Sequence, residues 1–365
     1  MSESATDSLL GVLRDDGRTD PATDPFLAPE TLLALYRDMR RIRSLDTALV
    51  ALQQRGEIGF YSASFGQEAV AIGAAFALEP SDWVFPALRE GALLLARGFP
   101  LASYLGQIFG TVDDLQKGRQ MPCHVSSRAH NVASSSGVIG TQLPQAVGAA
   151  WAARKRGART ISVGFIGEGG TSTGDFHAAM NFAGVFRVPC VIICQNNQWA
   201  LGTPSTRQTS SASFAIKARA YGMPGFRVDG NDVLAVYRAV SSARVRAVAG
   251  AGPTFLECVT TRTGVDSTSE LVQAASVQAP HDGIRDPIAR LRRHLSYLEL
   301  VDDASDASLG RELDNAVAVA IEAAKHRPLP ALSTLTEDVY AERPWHLVEQ
   351  DRELGPSGEK ARLSG

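Results

Sequence analysis

The apolar positions in the first part of the chain recur at the spacing of helices. In 31–56, TLLALYRDMRRIRSLDTALVALQQRG, apolar residues come every three or four positions and a glycine ends the run. Further helices are predicted over 66–78, 102–110 and 141–157. Residues 1–28 are acidic, polar and rich in Asp, Thr and Pro, which predicts a flexible N-terminal arm.

From residue 161 onward, short apolar runs alternate with helical segments. Three runs are predicted to be strands: ISVGFI (161–166), VPCVIICQNN (188–197) and TFLECVTT (254–261). A helix over 175–186 separates the first two, and a second helix, with Asp229 or Asn231 as its N-cap, precedes the third. This alternation predicts an α/β fold with a mostly parallel central sheet flanked by helices.

The C-terminal part of the sequence completes one domain. The polar stretch 262–283 has little periodicity and is predicted to be a long loop. Two helices, over 288–300 and 309–326, are predicted to close an α/β domain that spans residues 29–340. Residues 341–365 are predicted to be a C-terminal tail.

The composition is that of an ordinary globular chain. It has 365 residues, 44% hydrophobic and 21% charged, with a net charge of -3 and scattered Lys and Arg, which disfavours binding of nucleic acid or an anionic membrane. No stretch is long and apolar enough to span a membrane, and no signal peptide is recognised, so a cytoplasmic protein is expected. The four cysteines are Cys123, Cys190, Cys194 and Cys258. None of them forms a CxxC pair, which argues against a zinc knuckle or a disulfide framework.

The run FIGEGGTSTGD (165–175) raises a chemical question, because it sets the carboxylate of Glu168 in a loop typical of phosphate sites. A P-loop would need a lysine near the end of the loop, but no lysine lies between Arg156 and Lys217. A dinucleotide loop would need a third glycine where Ser172 stands, and an acid where the next strand ends in QNN. Nicotinamide and flavin sites therefore fit poorly.

A divalent cation explains Glu168. Asn197 ends the following strand, and the carboxyl ends of neighbouring parallel strands face the same crevice. Carboxylate and amide oxygens, together with phosphate oxygens, are the ligands that Mg²⁺ prefers. The backbone N–H groups of Gly169 and Gly170 would bind the remaining charge of a diphosphate.

The GEG motif at 167–169, followed by NN at 196–197, resembles the thiamine diphosphate motif. The whole run 167–204 resembles the α subunit of the E1 component of 2-oxoacid dehydrogenases, and the branched-chain type in particular, which also has Glu in the acidic position. The resemblance extends from about 31 to 350 and includes FYSASFGQEA, DWVFPALREG, KGRQMPCH and EDVYAE. It implies a thiamine-diphosphate-binding fold and a chain that decarboxylates a 2-oxoacid.

The resemblance also implies roles for individual residues. The magnesium ligands would be Glu168, Asn197 and the backbone carbonyl of Trp199. The contacts to thiamine diphosphate would be Leu88, Arg89, Gly137, Ile139, Gly169, Gly170, Gln195, Asn197, Trp199 and Arg262. A potassium site would use Ser136, Val138, Thr141 and Gln142. Phe60 would line the substrate pocket, and Asp266 stands at the position of the family's catalytic histidine.

The partners follow from the same resemblance. In the family the cofactor serves as the electron sink for loss of CO₂, and the acyl group passes to a lipoyl group on the E2 acyltransferase. The glutamate that ionises the cofactor lies on a separate β subunit, which implies an α2β2 heterotetramer. The expected substrate is a branched-chain 2-oxoacid, with pyruvate as the second choice.

Three positions depart from the family pattern. Leu88 replaces a tyrosine whose hydroxyl reaches a phosphate oxygen, a loss of ~1.5–3 kcal/mol. Thr173 stands where most relatives have Glu, and an acid at Asp266 would repel a diphosphate. An alternative is therefore a degenerate E1 α paralogue that acts as a non-catalytic assembly or regulatory partner. The retained Glu168 and Asn197 favour the enzyme.

Some of these residues also have purely structural interpretations. Gly137 and Gly140 would equally suit a tight turn before a helix. Arg89, taken without its neighbours, is typical of a solvated arginine on a helix. A paired asparagine ending an apolar strand is harder to explain in this way, because burying Asn197 without a partner is costly.

Overall fold

The computed structural model describes residues 8–262 and 285–361, with side chains described as far as residue 354. The helices are α1 (Pro29–Gln54), α2 (Glu68–Ala77), α3 (Gly91–Ala96), α4 (Leu101–Phe109), α5 (Gln142–Lys155), α6 (Gly174–Phe186), α7 (Val233–Val248), α8 (Pro287–Tyr297), α9 (Asp303–Lys325) and α10 (Trp345–Ala361). The strands are β1 (Leu9–Leu10), β2 (Trp83–Phe85), β3 (Ser162–Gly167), β4 (Cys190–Asn196), β5 (Trp199–Ala200), β6 (Thr203–Pro204), β7 (Gly225–Asp229) and β8 (Thr254–Val259).

Six strands form one parallel sheet in the order β1-β7-β8-β4-β3-β2, and β5 pairs separately with β6. Side chains along β3 and β4 alternate between two cores. Val163 and Val191 belong to the larger core, which includes residues of α1, α2, α7 and α8, whereas Ile166 and Ile192 belong to the smaller core beside α5 and α6. Burial on both faces explains the continuous apolar runs, and the predicted α/β architecture is confirmed.

Helix α2 is buried against α7 because its small residues allow close approach. A Cβ atom at Gly73 would come within 2.9 Å of the Val233 carbonyl oxygen and 3.0 Å of the Val236 Cβ. Any side chain there would force the helices apart, since a packed interior has no spare room. This contact fixes the start of α2, where the Gln67 amide donates to Thr260 Oγ1 at 3.1 Å beside the end of β8.

The expectation of a flexible N-terminal arm is wrong for residues 8–28. β1 pairs in parallel with β7, and Val12 is only 1% exposed. The backbone N–H groups of Val12 and Leu13 donate to Asp232 at 2.7 and 2.6 Å. The composition of this segment is polar, but a few apolar residues and a distant carboxylate order it, which local sequence does not reveal.

The N-cap of α7 also differs from the prediction. It is Asp232, whose Oδ1 accepts the backbone N–H groups of Leu234 and Ala235 at 3.0 Å. Asp229 accepts the backbone N–H of Asn231 instead, at 3.0 Å. Asp232 thereby satisfies four backbone donors from two distant segments.

The remaining predicted elements agree well with the structure. The helices predicted in 31–56, 66–78, 102–110, 141–157, 175–186 and 288–300 are present with bounds shifted by at most three residues. The helix predicted over 309–326 is also present, but α9 begins six residues earlier, at Asp303. The predicted C-terminal tail contains α10. Apart from Arg262, the predicted loop 262–283 lies outside the described residues. Within the described ranges, no helix combines the length and apolarity needed to cross a membrane.

Replacing Asp232 with alanine is expected to lower the free energy of unfolding by about 4 kcal/mol, because four buried N–H groups and nearby Arg290 lose their acceptor. Asp302→Ala is the matched control. Asp302 caps α9 at an exposed site, so its loss should cost only about 1 kcal/mol. Urea unfolding followed by circular dichroism measures both, and equal losses would contradict the role assigned to Asp232.

Candidate cofactor site at the carboxyl edge of the sheet

Strands β3 and β4 bring the two main predicted metal ligands to one edge of the sheet. They pair in parallel with Gly167 opposite Gln195, so Glu168 and Asn197 leave neighbouring strands within about one residue of each other. A backbone hydrogen bond from Asn197 to the Glu168 carboxyl links the two segments. The structure therefore places these two residues together, as the sequence predicted.

Glu168 is a buried carboxyl group, only 2% exposed. Burial raises its pKa to about 7, an effect opposed by the hydrogen bonds it accepts and by the charge of Arg262. The Gln208 amide is one donor, with Nε2 at 3.4 Å from Glu168 Oε1. A carboxylate kept from water in this way strongly favours an incoming cation.

The paired asparagines play different parts. Asn196 is 6% exposed, and its amide donates to Glu257 Oε1 at 2.8 Å, while Glu257 Oε2 accepts the backbone N–H of Ala215 at 2.9 Å. Asn197 is half-buried, and its Oδ1 accepts the backbone N–H of Trp199 at 3.0 Å. Asn196 therefore anchors the loop, and the Asn197 oxygen keeps a second lone pair for a ligand.

The glycine loop is closely packed and forms a single turn over residues 168–172. A Cβ at Gly169 would lie 2.5 Å from the Ala200 Cβ, and one at Gly170 would lie 2.6 Å from a side-chain carbon of Ile166. Packing alone therefore demands glycine at both positions. Binding of a ligand to the backbone N–H groups of Gly169 and Gly170 stays a prediction.

Thr173 has a local role that accounts for its departure from the family pattern. It is the N-cap of α6, where its Oγ1 accepts the backbone N–H of Phe176 at 3.3 Å and donates to the Gly170 carbonyl at 2.8 Å. The hydroxyl therefore ties the glycine loop to the start of α6.

Arg89 is not a solvated helix arginine. It lies in the turn between β2 and α3, and its Nη1 donates to Ser62 Oγ and the Ala63 carbonyl, each at 2.7 Å. Asp46 of α1 orders the same loop by accepting the hydroxyl and backbone N–H of Ser64, each at 2.8 Å. A buried carboxylate thus supports the loop that holds Arg89.

The two predicted apolar residues near this loop both pack on protein. Phe60 and Leu88 are half-buried and lie against the larger core. Leu88 is therefore a packing residue, and its side chain offers nothing polar to a phosphate.

The turn 136–142 contains the predicted potassium ligands and the predicted aminopyrimidine contacts. Ser136 Oγ accepts the Val138 N–H at 3.1 Å, and Thr141 Oγ1 donates to the Val138 carbonyl at 3.0 Å. Gln142 is buried and donates to a carbonyl of β3 at 2.7 Å. Gly140 has φ +98°, which only glycine adopts readily, so the turn explains this glycine.

Two residues of the same turn carry exposed apolar side chains. Val138 and Ile139 are 66% and 64% exposed, beside Gly137, which is also exposed. Ile139 lies close enough to Gly170 that a Cβ there would be 3.0 Å from its side chain. The turn and the glycine loop therefore form one continuous surface.

Several residues of the site carried no recognised sequence signal. Lys217 donates to Thr171 Oγ1 at 2.8 Å beneath the glycine loop, and burial lowers its pKa. Gln208 is a second. Glu90, which accepts from Gln195 Nε2 at 2.6 Å, lies in the motif DWVFPALREG, but no role was predicted for it from the sequence. Glu257 did have a signal, because it is the only charged residue in the apolar run TFLECV.

Three further outcomes complete the comparison with the predicted residues. Arg262 is described and acts electrostatically on Glu168. Asp266 lies outside the described residues. Among the described residues, no three His, Cys, Asp or Glu side chains cluster as a ready metal site, so a cation at Glu168 would need oxygens from its ligand as well.

Comparison with known proteins identifies the family of this chain. Residues 36–333 match the family model described as Dehydrogenase E1 component. The chain belongs to the dehydrogenase E1 component family. This confirms the resemblance and, with the parallel sheet, the predicted thiamine-diphosphate-binding fold class.

Members of the E1 family with curated names align over most of this chain. The 2-oxoisovalerate dehydrogenase subunit alpha, mitochondrial, of Bos taurus is 38% identical over 92% of this chain and 74% of its own length. The Homo sapiens protein of that name is 38% identical over 92% of this chain and 76% of its own length. The 2-oxoisovalerate dehydrogenase subunit alpha 1, mitochondrial, of Arabidopsis thaliana is 40% identical over 93% of this chain and 73% of its own length. The comparisons give the alternative of a non-catalytic paralogue no support.

Stability of the E1 chain should depend on pH through two buried carboxyls. Burial raises the pKa of Glu168 and of Glu90 from 4.5 to about 7, so the folded state binds protons more tightly than the unfolded state. The free energy of unfolding should therefore fall as the pH rises from 4.5 to 7, by up to about 3 kcal/mol for each carboxyl.

Urea unfolding at a series of pH values tests this slope. Glu168→Gln should remove about half of it and leave the variant more stable than the parent at pH 8. Glu349→Gln, on the exposed surface of α10, is the control and should keep the parental slope. A slope unchanged in Glu168→Gln would contradict the assignment.

Proposed function

We propose that this chain is the α subunit of a branched-chain 2-oxoacid dehydrogenase E1, which decarboxylates the 2-oxoacid and transfers the acyl group to a lipoyl group of E2. The observation that carries the proposal is the meeting of Glu168, Asn197 and the glycine loop at one sheet edge. The names of the relatives, 2-oxoisovalerate dehydrogenase subunits, supply the substrate class.

The family implies thiamine diphosphate, and the residues present fit it. A buried carboxyl with a raised pKa and a hard amide oxygen, beside a glycine loop at the start of a helix, form a donor set for a metal–diphosphate. Glu168, Asn197 and the Trp199 carbonyl would hold Mg²⁺. Arg89 and Arg262 would bind the phosphate oxygens. When bound, the cofactor supplies an electron sink for the loss of CO₂.

The protein residues prepare this site before any ligand arrives. Ser62 and Ala63 fix the Arg89 guanidinium, so little side-chain entropy is lost on binding a phosphate. Glu168 loses its proton as a cation binds, because the cation repays the cost of burying the charge. The turn 136–142 would hold K⁺ through Ser136, Val138, Thr141 and Gln142 and keep the surface formed by Gly137 and Ile139 in place.

The substrate and partners follow from the same proposal. Phe60 presents an apolar side chain suited to a branched-chain 2-oxoacid, and the relatives favour 2-oxoisovalerate over pyruvate. Val138 and Ile139 project from the turn and would be covered by a β subunit in an α2β2 assembly. The named relatives are mitochondrial; a cytoplasmic location for this chain stays a prediction.

The first test is binding. Thiamine diphosphate with Mg²⁺ should bind the chain co-purified with its neighbouring β subunit, measured by calorimetric titration. Glu168→Ala should weaken Mg²⁺ binding by about 100-fold or more, because the carboxylate ligand is lost. Glu322→Ala is the exposed control and should bind like the parent. No binding by the parent complex would overturn the proposed enzyme and leave the assembly role.

The second test is turnover by the same complex. CO₂ release should be faster from 3-methyl-2-oxobutanoate than from pyruvate, and a reversed order would identify a pyruvate enzyme instead. Asp266→His restores the residue at the family's histidine position. If the present site is functional, the decarboxylation rate of this variant should stay the same or fall. A large rise in that rate would indicate a decayed site.

A further inference from the structure

A buried chain of polar side chains lies beneath the carboxyl edge of the sheet. Its members are Glu90, Gln195, Gln67 and Thr260, which are 4%, 7%, 2% and 1% exposed. Gln195 Nε2 donates to Glu90 Oε1 at 2.6 Å. Gln67 Nε2 donates to Gln195 Oε1 at 3.4 Å and to Thr260 Oγ1 at 3.1 Å. Four segments far apart in the sequence are joined in this way.

Each junction lies next to a predicted ligand of the cofactor or metal. Glu90 follows Arg89 directly in the sequence. Gln195 precedes Asn197 by two residues, and Thr260 precedes Arg262 by the same distance. Gln67 begins α2 and follows the loop that holds Arg89, with its N–H bonded to the Ser64 carbonyl at 2.8 Å. These four hydrogen-bonded side chains therefore set the separations among the groups predicted to bind the diphosphate and metal.

Glu90 is the charged member and bonds in two directions. Besides Gln195, it accepts the backbone N–H of Ala87 at 2.8 Å, which closes the turn that presents Arg89. Removing this carboxyl would leave a buried and a part-buried donor without an acceptor, and the turn and β4 would lose their link. The Gln195 side chain donates through Nε2 to Glu90 and accepts through Oε1 from Gln67. Besides any direct contact, Gln195 can therefore affect cofactor binding through these two neighbours.

We propose that Glu90 is a positioning residue that acts through Gln195 to hold Arg89 and the metal-ligand segment around Asn197 at the separation a bound thiamine diphosphate requires. The inference rests on the proposed function. Glu90 touches neither the cofactor nor the substrate. Its loss should therefore weaken cofactor binding and leave catalysis by the filled site largely intact.

The experiment uses the complex of this chain with its β subunit. The dissociation constant for thiamine diphosphate with saturating Mg²⁺ is measured by calorimetry, and kcat is measured at saturating cofactor. Glu90→Ala should raise the dissociation constant by about 10- to 100-fold and change kcat by less than about threefold. Glu90→Gln should recover only part of the lost affinity and fall between the parent and Glu90→Ala, because its single amide oxygen can accept from Gln195 or from the Ala87 N–H but not from both.

A matched control separates positioning from general destabilisation. Asp82 is also fully buried and accepts backbone N–H groups of Glu79 and Ile161, at 2.9 and 3.0 Å, at the opposite edge of the sheet. Asp82→Ala should lower the thermal midpoint at least as much as Glu90→Ala without weakening cofactor binding. If both variants lose cofactor affinity in proportion to the fall in their thermal midpoints, Glu90 is merely structural and the inference fails.

Two further outcomes bear on the inference. In a double-mutant cycle, the losses of affinity from Glu90→Ala and Gln195→Ala should not add, since the residues act as one unit, and additive losses would refute action through Gln195. A folded Glu90→Ala complex that binds the cofactor like the parent would overturn the inference alone. A parent complex that binds no cofactor would overturn the proposed function together with it.

Discussion

The parallel pairing of β3 with β4 is the constraint on which the rest of the site depends. Its register places Gly167 opposite Gln195, and so sends Glu168 and Asn197 out of the sheet at the same edge. Both strands are buried on both faces, so a slip of one residue would exchange the side chains of the two cores. Core packing therefore fixes the geometry of the polar edge to a precision that the loops alone could not supply.

Buried carboxyls are the second constraint, and each has a specified set of donors. Glu257 accepts from Asn196 and Ala215, whereas Glu90 accepts from Gln195 and Ala87. Those two carboxyls are satisfied within the protein and hold the loops. Glu168 is different, because it accepts the backbone N–H of Asn197 and only a long contact from the Gln208 amide, and it lies beside the Asn197 side-chain oxygen that keeps a second lone pair. That difference separates the carboxyl available to a cation from those that build the frame.

Two of the three departures from the family pattern, at Thr173 and Leu88, lie among the described residues and are accommodated by local contacts. Thr173 caps α6 and ties the glycine loop to it, so the substitution retains a folding role. Leu88 packs on the larger core beside the turn that carries Arg89, and the polar contacts of that turn are made by Arg89 and Glu90. The turn and the loop that carry the predicted ligands therefore keep their local contacts where these two side chains have changed.

The sequence by itself determined most of the helices and strands and predicted the main ligands, because these depend on local patterns. Periodicity predicted the helices and buried strands, and the chemistry of Glu168 and Asn197, with the position of the glycines, predicted a metal–diphosphate edge. Tertiary structure decided what depends on distant partners. The order of the N-terminal segment rests on Asp232, some 220 residues away, and the fixing of Arg89 rests on Ser62 and Ala63. Lys217, Gln208 and Glu90 likewise acquire their roles only when packing brings them to the edge, because a buried polar side chain is defined by the partner that satisfies it.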